Sequence, residues 1–241
     1  MQFIRKRRYT ANGVAFDGTN DYLTRGADLT GVSDGKVGTF SCWVDFTGGD
    51  ATFQYICNTA TATFRLFVGK TTGNKLAVQG RNTSDTTILR LDSQTSVIAS
   101  EGWHHIAMAW DLAAGIGRLY LDDVNDVAGG STLTNDTIDY TEGEFSIGGD
   151  AAGSLKLNAQ VADLYLDLAS FQDIGTTSIR RRFISAQLKP TNLGPDGANP
   201  SGSSPAVALT GATATWHTND GAGGGFTENG ALADASSSPS D

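Results

Sequence analysis

Residues Gly102–Asp111 read GWHHIAMAWD, and the fold class turns on whether this run is a metal or catalytic centre or one strand of a β-sandwich. After Trp103, Ile106, Met108 and Trp110 share one parity, and His105, Ala107 and Ala109 the other. A period of two belongs to an extended strand, whose successive side chains leave on opposite faces. The adjacent His104 and His105 therefore point apart and do not reach one metal ion together. His104 has the parity of the core face but lies near the start of the strand, and the third histidine, His217, sits far along the chain in a glycine-rich region. The run reads as a strand.

Outward from it the pattern repeats. In GTFSCWVDF (Gly38–Phe46), Phe40, Cys42, Val44 and Phe46 fall on one face, Ser41, Trp43 and Asp45 on the other. GRLYLDDVNDV (Gly117–Val127) predicts a hairpin in which Leu119 and Leu121 face inward, Asp122 and Asp123 make the turn, and Val124 begins the return. Aspartate accepts there a positive φ that glycine would adopt more easily. GEFSIGGD (Gly143–Asp150) adds a short strand and AQVADLYLDLASF (Ala159–Phe171) a longer one. DIGTTSIRRRFISAQL (Asp173–Leu188) carries the helical pattern, with Thr177 or Ser178 as N-cap and Ile179, Phe183 and Ile184 as its apolar stripe. Thirty glycines among 241 residues, with abundant Thr, Ser, Asn and Asp, fit many turns and few helices. The expectation is an all-β, antiparallel two-sheet sandwich with one short helix.

A chain of this length buries roughly 70 to 75% of the surface its unfolded form exposes, enough for one substantial core. Three stretches are expected: a basic segment 1–12, the sandwich 13–188, and an extended C-terminal arm 189–241. The arm begins with KPTNLGPDGANPSGSSP (Lys189–Pro205), an extended connection by composition. It is not simple disorder, because Val207, Leu209, Trp216, Phe226 and Leu232 recur within it. Such an arm must pack on its own sandwich or on a neighbouring subunit. Trp216, Phe226 and Leu232 are its expected anchors, glycines 223 to 225 let it bend, and a homo-oligomer built through it is one outcome.

The net charge of -9 argues against nucleic acid or an anionic membrane as partner, since phosphate binding depends on Lys and Arg. Cys42 and Cys57 are too few for a disulfide framework or a paired CxxC metal motif, and are expected free and buried. MQFIRKRRYT (Met1–Thr10) is basic with no apolar run behind it, so it reads as neither a secretory signal nor a membrane span. Its Arg5–Arg8 cluster reads as a solvated end, and folding in a reducing cytoplasm is expected.

Six segments, VAFDGTNDYL (Val14–Leu23), FSCWV (Phe40–Val44), GWHHIAMAWD (Gly102–Asp111), GRLYLDD (Gly117–Asp123), FSIGG (Phe145–Gly149) and AQVADLYLD (Ala159–Asp167), follow one another in a familiar order and spacing. In this the chain resembles the laminin-G-like, concanavalin A-like jelly rolls, over residues 13–188. It departs in the hairpin, which usually reads Asp-Gly where Asp122-Asp123 stands here. The tail, SGSSPAVALTG with WHTNDGAGGGFTENGALADASSSPSD, resembles the C-terminal ends of proteins of tailed bacteriophages and related prophages. That resemblance implies a virion assembled in the host cytoplasm, with other virion proteins as partners.

The first functional reading is a non-enzymatic virion structural protein, a capsid decoration, head-fibre or tail-associated subunit, displaying a lectin-like jelly roll toward host or environmental glycans. Sugar sites combine aromatic platforms with Asp and Asn hydrogen bonds, which singles out Trp43 with Asn58, Asn82, Asp85 and Asn125. Burial of Trp43 beneath the helix or the arm is the competing reading. A soluble carbohydrate-binding module is the alternative.

A β-glucanase-type glycoside hydrolase needs a Glu-x-Asp-x-Glu run, of which Asp163, Tyr165 and Asp167 are the nearest match. Asp163 and Asp167 would lie about 13 Å apart along a strand, beyond the usual 5 to 9.5 Å, and Glu142 with Glu144 lacks a third carboxylate. The chain therefore reads as no enzyme. No cofactor is required. Calcium is the one left open, with Asp122, Asp123, Asn125, Asp126 and Asp150 as oxygen donors. No Asp-x-Asp-x-Asp-Gly loop is present, and acidic turn residues ordinarily serve the turn.

Overall fold

Alternation is realised as sixteen short strands in the computed structural model, which describes residues 9–60 and 64–241. The Arg5–Arg8 cluster lies outside the described residues. In chain order come β1 (Gly13–Asp17), β2 (Tyr22–Thr24), β3 (Val37–Phe46), β4 (Gln54–Ala60), β5 (Phe64–Lys70) and β6 (Lys75–Arg81). They are followed by β7 (Thr87–Ser96), β8 (His104–Asp111), β9 (Ile116–Leu121), β10 (Val124–Asn125), β11 (Thr132–Leu133), β12 (Phe145–Ile147) and β13 (Asn158–Asp167). Then come α1 (Thr177–Arg180), β14 (Val207–Leu209), α2 (Thr213–Trp216), β15 (Thr227–Asn229) and β16 (Ala233–Asp234).

The first sheet has the order β10-β9-β8-β3-β13-β1-β16, with β14 also on β13; the second is β11-β7-β6-β5-β4-β12-β2-β15. All pairs in both sheets are antiparallel. Between the sheets, Phe40, Cys42, Val44, Ile106, Met108 and Trp110 meet Leu66, Val68, Leu76, Val78, Leu89 and Leu91, all buried. Each such side chain contributes roughly 1.5–3 kcal/mol by leaving water. Gly38, opposite Trp110 on the neighbouring strand, has to be glycine because a Cβ would stand 2.2 Å from the indole. Cys42 and Cys57 are both free and buried, as expected. The β9–β10 turn places Asp122 at φ 48° and Asp123 at φ 71°, the two positive angles that a type I′ hairpin requires.

β13 holds a bulge. Its register against β3 shifts between Ala162 and Tyr165, and Asp163 takes φ 48°. The extra residue reverses the parity, so Val161 and Leu164 both reach the core.

The helix expectation needs correction. The helix is a single turn, Thr177–Arg180, and neither Thr177 nor Ser178 caps it; the N-cap is Thr176, without a side-chain bond. Phe183 and Ile184 are buried from the loop that follows, while Ile179 is only half-buried. A second one-turn helix, α2, lies in the tail. Residues 189–241 take the first of the two placements expected for the arm, on their own sandwich: β14 pairs with β13, β15 with β2 and β16 with β1. Trp216 is fully buried with its ring edge-on to Phe16, Phe226 packs on Phe145, and Leu232 rests on the same core. The tail also clasps the start of the chain, where Ala11 N–H donates to Ser240 Oγ at 3.0 Å and Ser238 Oγ donates to the Ala11 carbonyl at 2.7 Å. The anchors expected for oligomerisation are thus consumed within the sandwich.

The outer face of the first sheet is covered by the chain itself. Ala107, Ala109 and Tyr165 pack under Ile174, Phe183 and Leu193, and Trp43 with Ala162 packs under Ala11 and Ile184.

Candidate functional site

Covering one outer face directs attention to the other. In the second sheet Leu66, Val68, Leu76, Val78, Leu89 and Leu91 point to the core, so alternation turns Phe67, Ala77, Gln79, Arg90 and Asp92 outward. Cross-strand register aligns Asn58, Phe67, Gln79 and Arg90 in one row. Tyr55, Gly69, Ala77 and Asp92 form the row beside it. Gly69 keeps that floor flat, since a Cβ there would lie 2.2 Å from the Gln54 carbonyl oxygen.

Over these rows sits an aromatic cluster. Phe53 lies 5.1 Å from Phe67 and 5.2 Å from Tyr55 by ring centroids, and Phe64 lies 4.8 Å from Phe67, all three contacts edge-on. Tyr55 and Phe67 are buried as the floor, while Phe53 and Phe64 remain half-buried at the surface. The preference of ring edges for ring faces fixes this geometry. Arg81 stacks over Phe64 at 4.1 Å and Arg90 over Phe67 at 5.5 Å.

The polar groups are tied down. Arg90 donates through Nε to Asp92 Oδ2 at 2.7 Å and through Nη1 to Gln79 Oε1 at 3.0 Å, while its Nη2 donates to Asp92 Oδ1. Gln79 Nε2 donates to Thr87 Oγ1 at 2.9 Å. Arg65 and Arg81 share Asp85, and Arg65 Nε also lies 3.3 Å from both Asp139 and Glu142. Burial, followed by hydrogen bonding with Glu142, pushes the Asp139 carboxyl above the usual range. Burial lifts the Tyr55 hydroxyl to about 12, so it is a neutral phenol.

Of the candidates for sugar contact, Trp43 is covered at 4% exposure, by Ala11 and Ile184 and not by the helix or the arm. Asn58 is on the Phe67 row but buried, donating to Ser146 Oγ at 3.0 Å. Asp85 joins the site through Arg81. Asn82 holds its turn and donates to Asp136 Oδ2 at 2.8 Å, and Asn125 is on the other sheet's hairpin. The missed residues Phe53, Tyr55, Phe64 and Phe67 had one available signal: Phe67 stands between Leu66 and Val68, on the parity that should be polar.

The calcium candidates are not brought together. Asp122 accepts from the His105 N–H at 2.7 Å and pairs with His104 Nδ1 at 2.7 Å. Asp123 holds Arg180 and Arg181, Asp126 accepts from Thr95 Oγ1 at 2.8 Å, and Asn125 Oδ1 accepts from the Val127 N–H at 3.4 Å. Asp150 accepts from the Ser154 N–H at 2.6 Å in a different loop. Among the described residues no group of three or more His, Cys, Asp or Glu could hold a metal.

The histidines part as their spacing demands. The Asp122 bond pushes His104 above its ordinary value, whereas His105, buried beside Trp43 and bonded to Ser41 Oγ at 2.9 Å, is pushed down to about 4 by desolvation. Asp163 is also buried, accepting from Tyr9 Oη at 2.7 Å, and desolvation pushes it up to about 7. Asp167 is committed to Ser170 Oγ at 2.5 Å and the Ala169 N–H at 2.9 Å. In a cleft of about 360 Å³ beside Asp167 and Asp34, Asp34 Oδ1 accepts from Thr141 Oγ1 at 2.8 Å and the Tyr140 N–H at 2.9 Å.

No curated protein matches the chain in sequence. Among solved structures it is similar to a Bacteroides ovatus protein described as carbohydrate binding, with a TM-score of 0.65 at 12% identity over 97% of this chain and 62% of that one. It is also similar to the heptameric SAP-like pentraxin of Limulus polyphemus, with TM-score 0.47, 13% identity, and 65% and 76% of the two chains covered. Domains LG4-5 of the mouse laminin alpha1 chain align with TM-score 0.46 and 16% identity over 68% of this chain and 44% of that one. The chain thus spans less than two thirds of the Bacteroides ovatus and laminin chains. At 12% identity the likeness to the Bacteroides ovatus protein shows the fold alone. Residues 17–166, more than half of the sequence, match the family described as the concanavalin A-like lectin/glucanases superfamily, and the chain belongs to that family.

Proposed function

We propose that this chain is a non-enzymatic carbohydrate-binding domain that holds glycan on the outer face of its second sheet. The observation that carries the proposal is the half-buried Phe53 and Phe64 beside the fixed ladder of Gln79, Arg90 and Asp92. An aromatic surface takes the C–H face of a sugar while preorganised polar groups take its hydroxyls, at little ordering cost on binding. The opposite sheet's outer face is sealed by the chain. The carbohydrate-binding description of the Bacteroides ovatus protein supports the same reading.

Against hydrolysis, Asp163 is buried against Tyr9 and Asp167 against Ser170 on the sealed sheet, and Glu142 sits on Arg65. The virion placement rests on the resemblance of the tail, and we retain it as the setting of this domain. Mass spectrometry of purified particles tests it, and absence of the protein removes it.

Glycan-array and calorimetric binding of Phe53→Ala and Phe64→Ala tests the site. Loss of one aromatic contact is expected to weaken binding about tenfold, with the cooperative melt retained. Unchanged affinity in both variants overturns this placement.

A further inference from the structure

We infer that this face takes uncharged, hydroxyl-rich glycan and excludes sugars bearing carboxylate or sulfate, an inference that rests on reading the face as the glycan site. Recognition of an anionic sugar uses a guanidinium whose planar fork is open to receive two oxygens. Arg90 has no open fork: Nε and Nη2 are taken by Asp92 and Nη1 by Gln79. Arg81 stands over Phe64 with Nη1 on Asp85 and its Nε buried out of reach of a ligand, and Arg65 is bound by Asp85 while facing Asp139 and Glu142.

Three guanidiniums thus face four carboxylates, Asp85, Asp92, Asp139 and Glu142, on a chain of net charge -9. A second anion would enter a region already crowded with negative charge. The same carboxylates suit hydroxyl donors, because each oxygen keeps acceptor capacity beyond its guanidinium bond. The aromatic surface is uncharged and asks for an apolar sugar face.

The test is calorimetry of the full chain with two panels, neutral gluco-, galacto-, manno- and xylo-oligosaccharides against sialyllactose, heparin oligosaccharides and oligogalacturonate. Titrations run at about 50 and about 500 mM salt, where screening differs strongly. A neutral glycan is expected to bind with an affinity that changes by less than roughly twofold with salt, and the anionic panel at least about tenfold more weakly. Stronger, salt-sensitive binding of the anionic panel overturns the inference and leaves the glycan site standing. Binding of neither panel removes the glycan site itself.

Asp92→Asn frees the fork of Arg90, and Asp85→Asn releases Nη1 of Arg81 while Arg65 stays beside Asp139 and Glu142. Each is expected to raise the affinity for the anionic panel about tenfold. Unchanged anion affinity in both folded variants overturns the pairing argument.

Discussion

Trp216→Ala is the perturbation that most sharply separates a tail docked on the sandwich from one that is part of it. The indole is fully buried against Phe16, and its Nε1 donates to the Gly211 carbonyl at 3.0 Å. A tryptophan side chain buries roughly 150–250 Å², which at about 25 cal/mol per Å² amounts to about 4–6 kcal/mol. Core truncations of this size cost about 3–5 kcal/mol, so we take about 4 kcal/mol. For a chain of this length each kcal/mol lowers Tm by roughly 2–4 °C, giving a fall of roughly 8–16 °C. Differential scanning calorimetry should show one transition, displaced as a whole, because β14, β15 and β16 are hydrogen-bonded to strands of both sheets. A shift below about 2 °C, or a separate early transition with the main one unmoved, would refute the reasoning and restore 189–241 as an independent arm.

Stability against pH should reveal two opposed buried groups. The folded pKa of His105 near 4, against about 6.5 unfolded, makes stability fall as pH drops from 6.5 to 4, by about 3 kcal/mol. Asp163 near 7, against 3.8, is held protonated by the fold, so its contribution is full below 3.8 and falls as pH rises to 7, by about 4 kcal/mol. The slopes offset between pH 4 and 6.5; Asp163→Asn should therefore stabilise above pH 7 and leave a curve that declines toward pH 4. Urea midpoints that do not depend on pH in Asp163→Asn would contradict this. Asp123→Asn keeps a side chain that tolerates φ 71° but loses the charge that holds Arg181 and Arg180, the guanidiniums that keep the Asp123 carboxyl near 2. The loss should be about 2 kcal/mol at pH 7, measured by urea unfolding, because Arg180 is left buried without its counter-ion; an unmoved midpoint would show that the pair is neutral.

Much of the sandwich was legible from local pattern. The two parities of GTFSCWVDF and GWHHIAMAWD, the Asp122-Asp123 turn and the separation of the two histidines all follow from a strand's period of two, which depends on backbone geometry alone. The candidate site was legible only in fragments. Asn58 and Asp85 stand on the sheet of the proposed site, but Phe53, Tyr55, Phe64 and Phe67 were not singled out, because alternation does not say which aromatic faces a second sheet and which faces water. Trp43 shows the converse, standing on the polar parity yet sealed by Ile184, more than a hundred positions away.

What the sequence by itself determined is therefore a subset of the strands, their apolar face, the hairpin and the divergence of the two adjacent histidines, all set by neighbours within a few residues. The tertiary structure decided which outer face stays open, that the tail belongs to the core, and which carboxylates are already spent on arginines. Those outcomes depend on contacts such as Trp216 on Phe16 and Arg180 on Asp123, whose partners are brought together by the whole fold and leave no periodic trace in the chain.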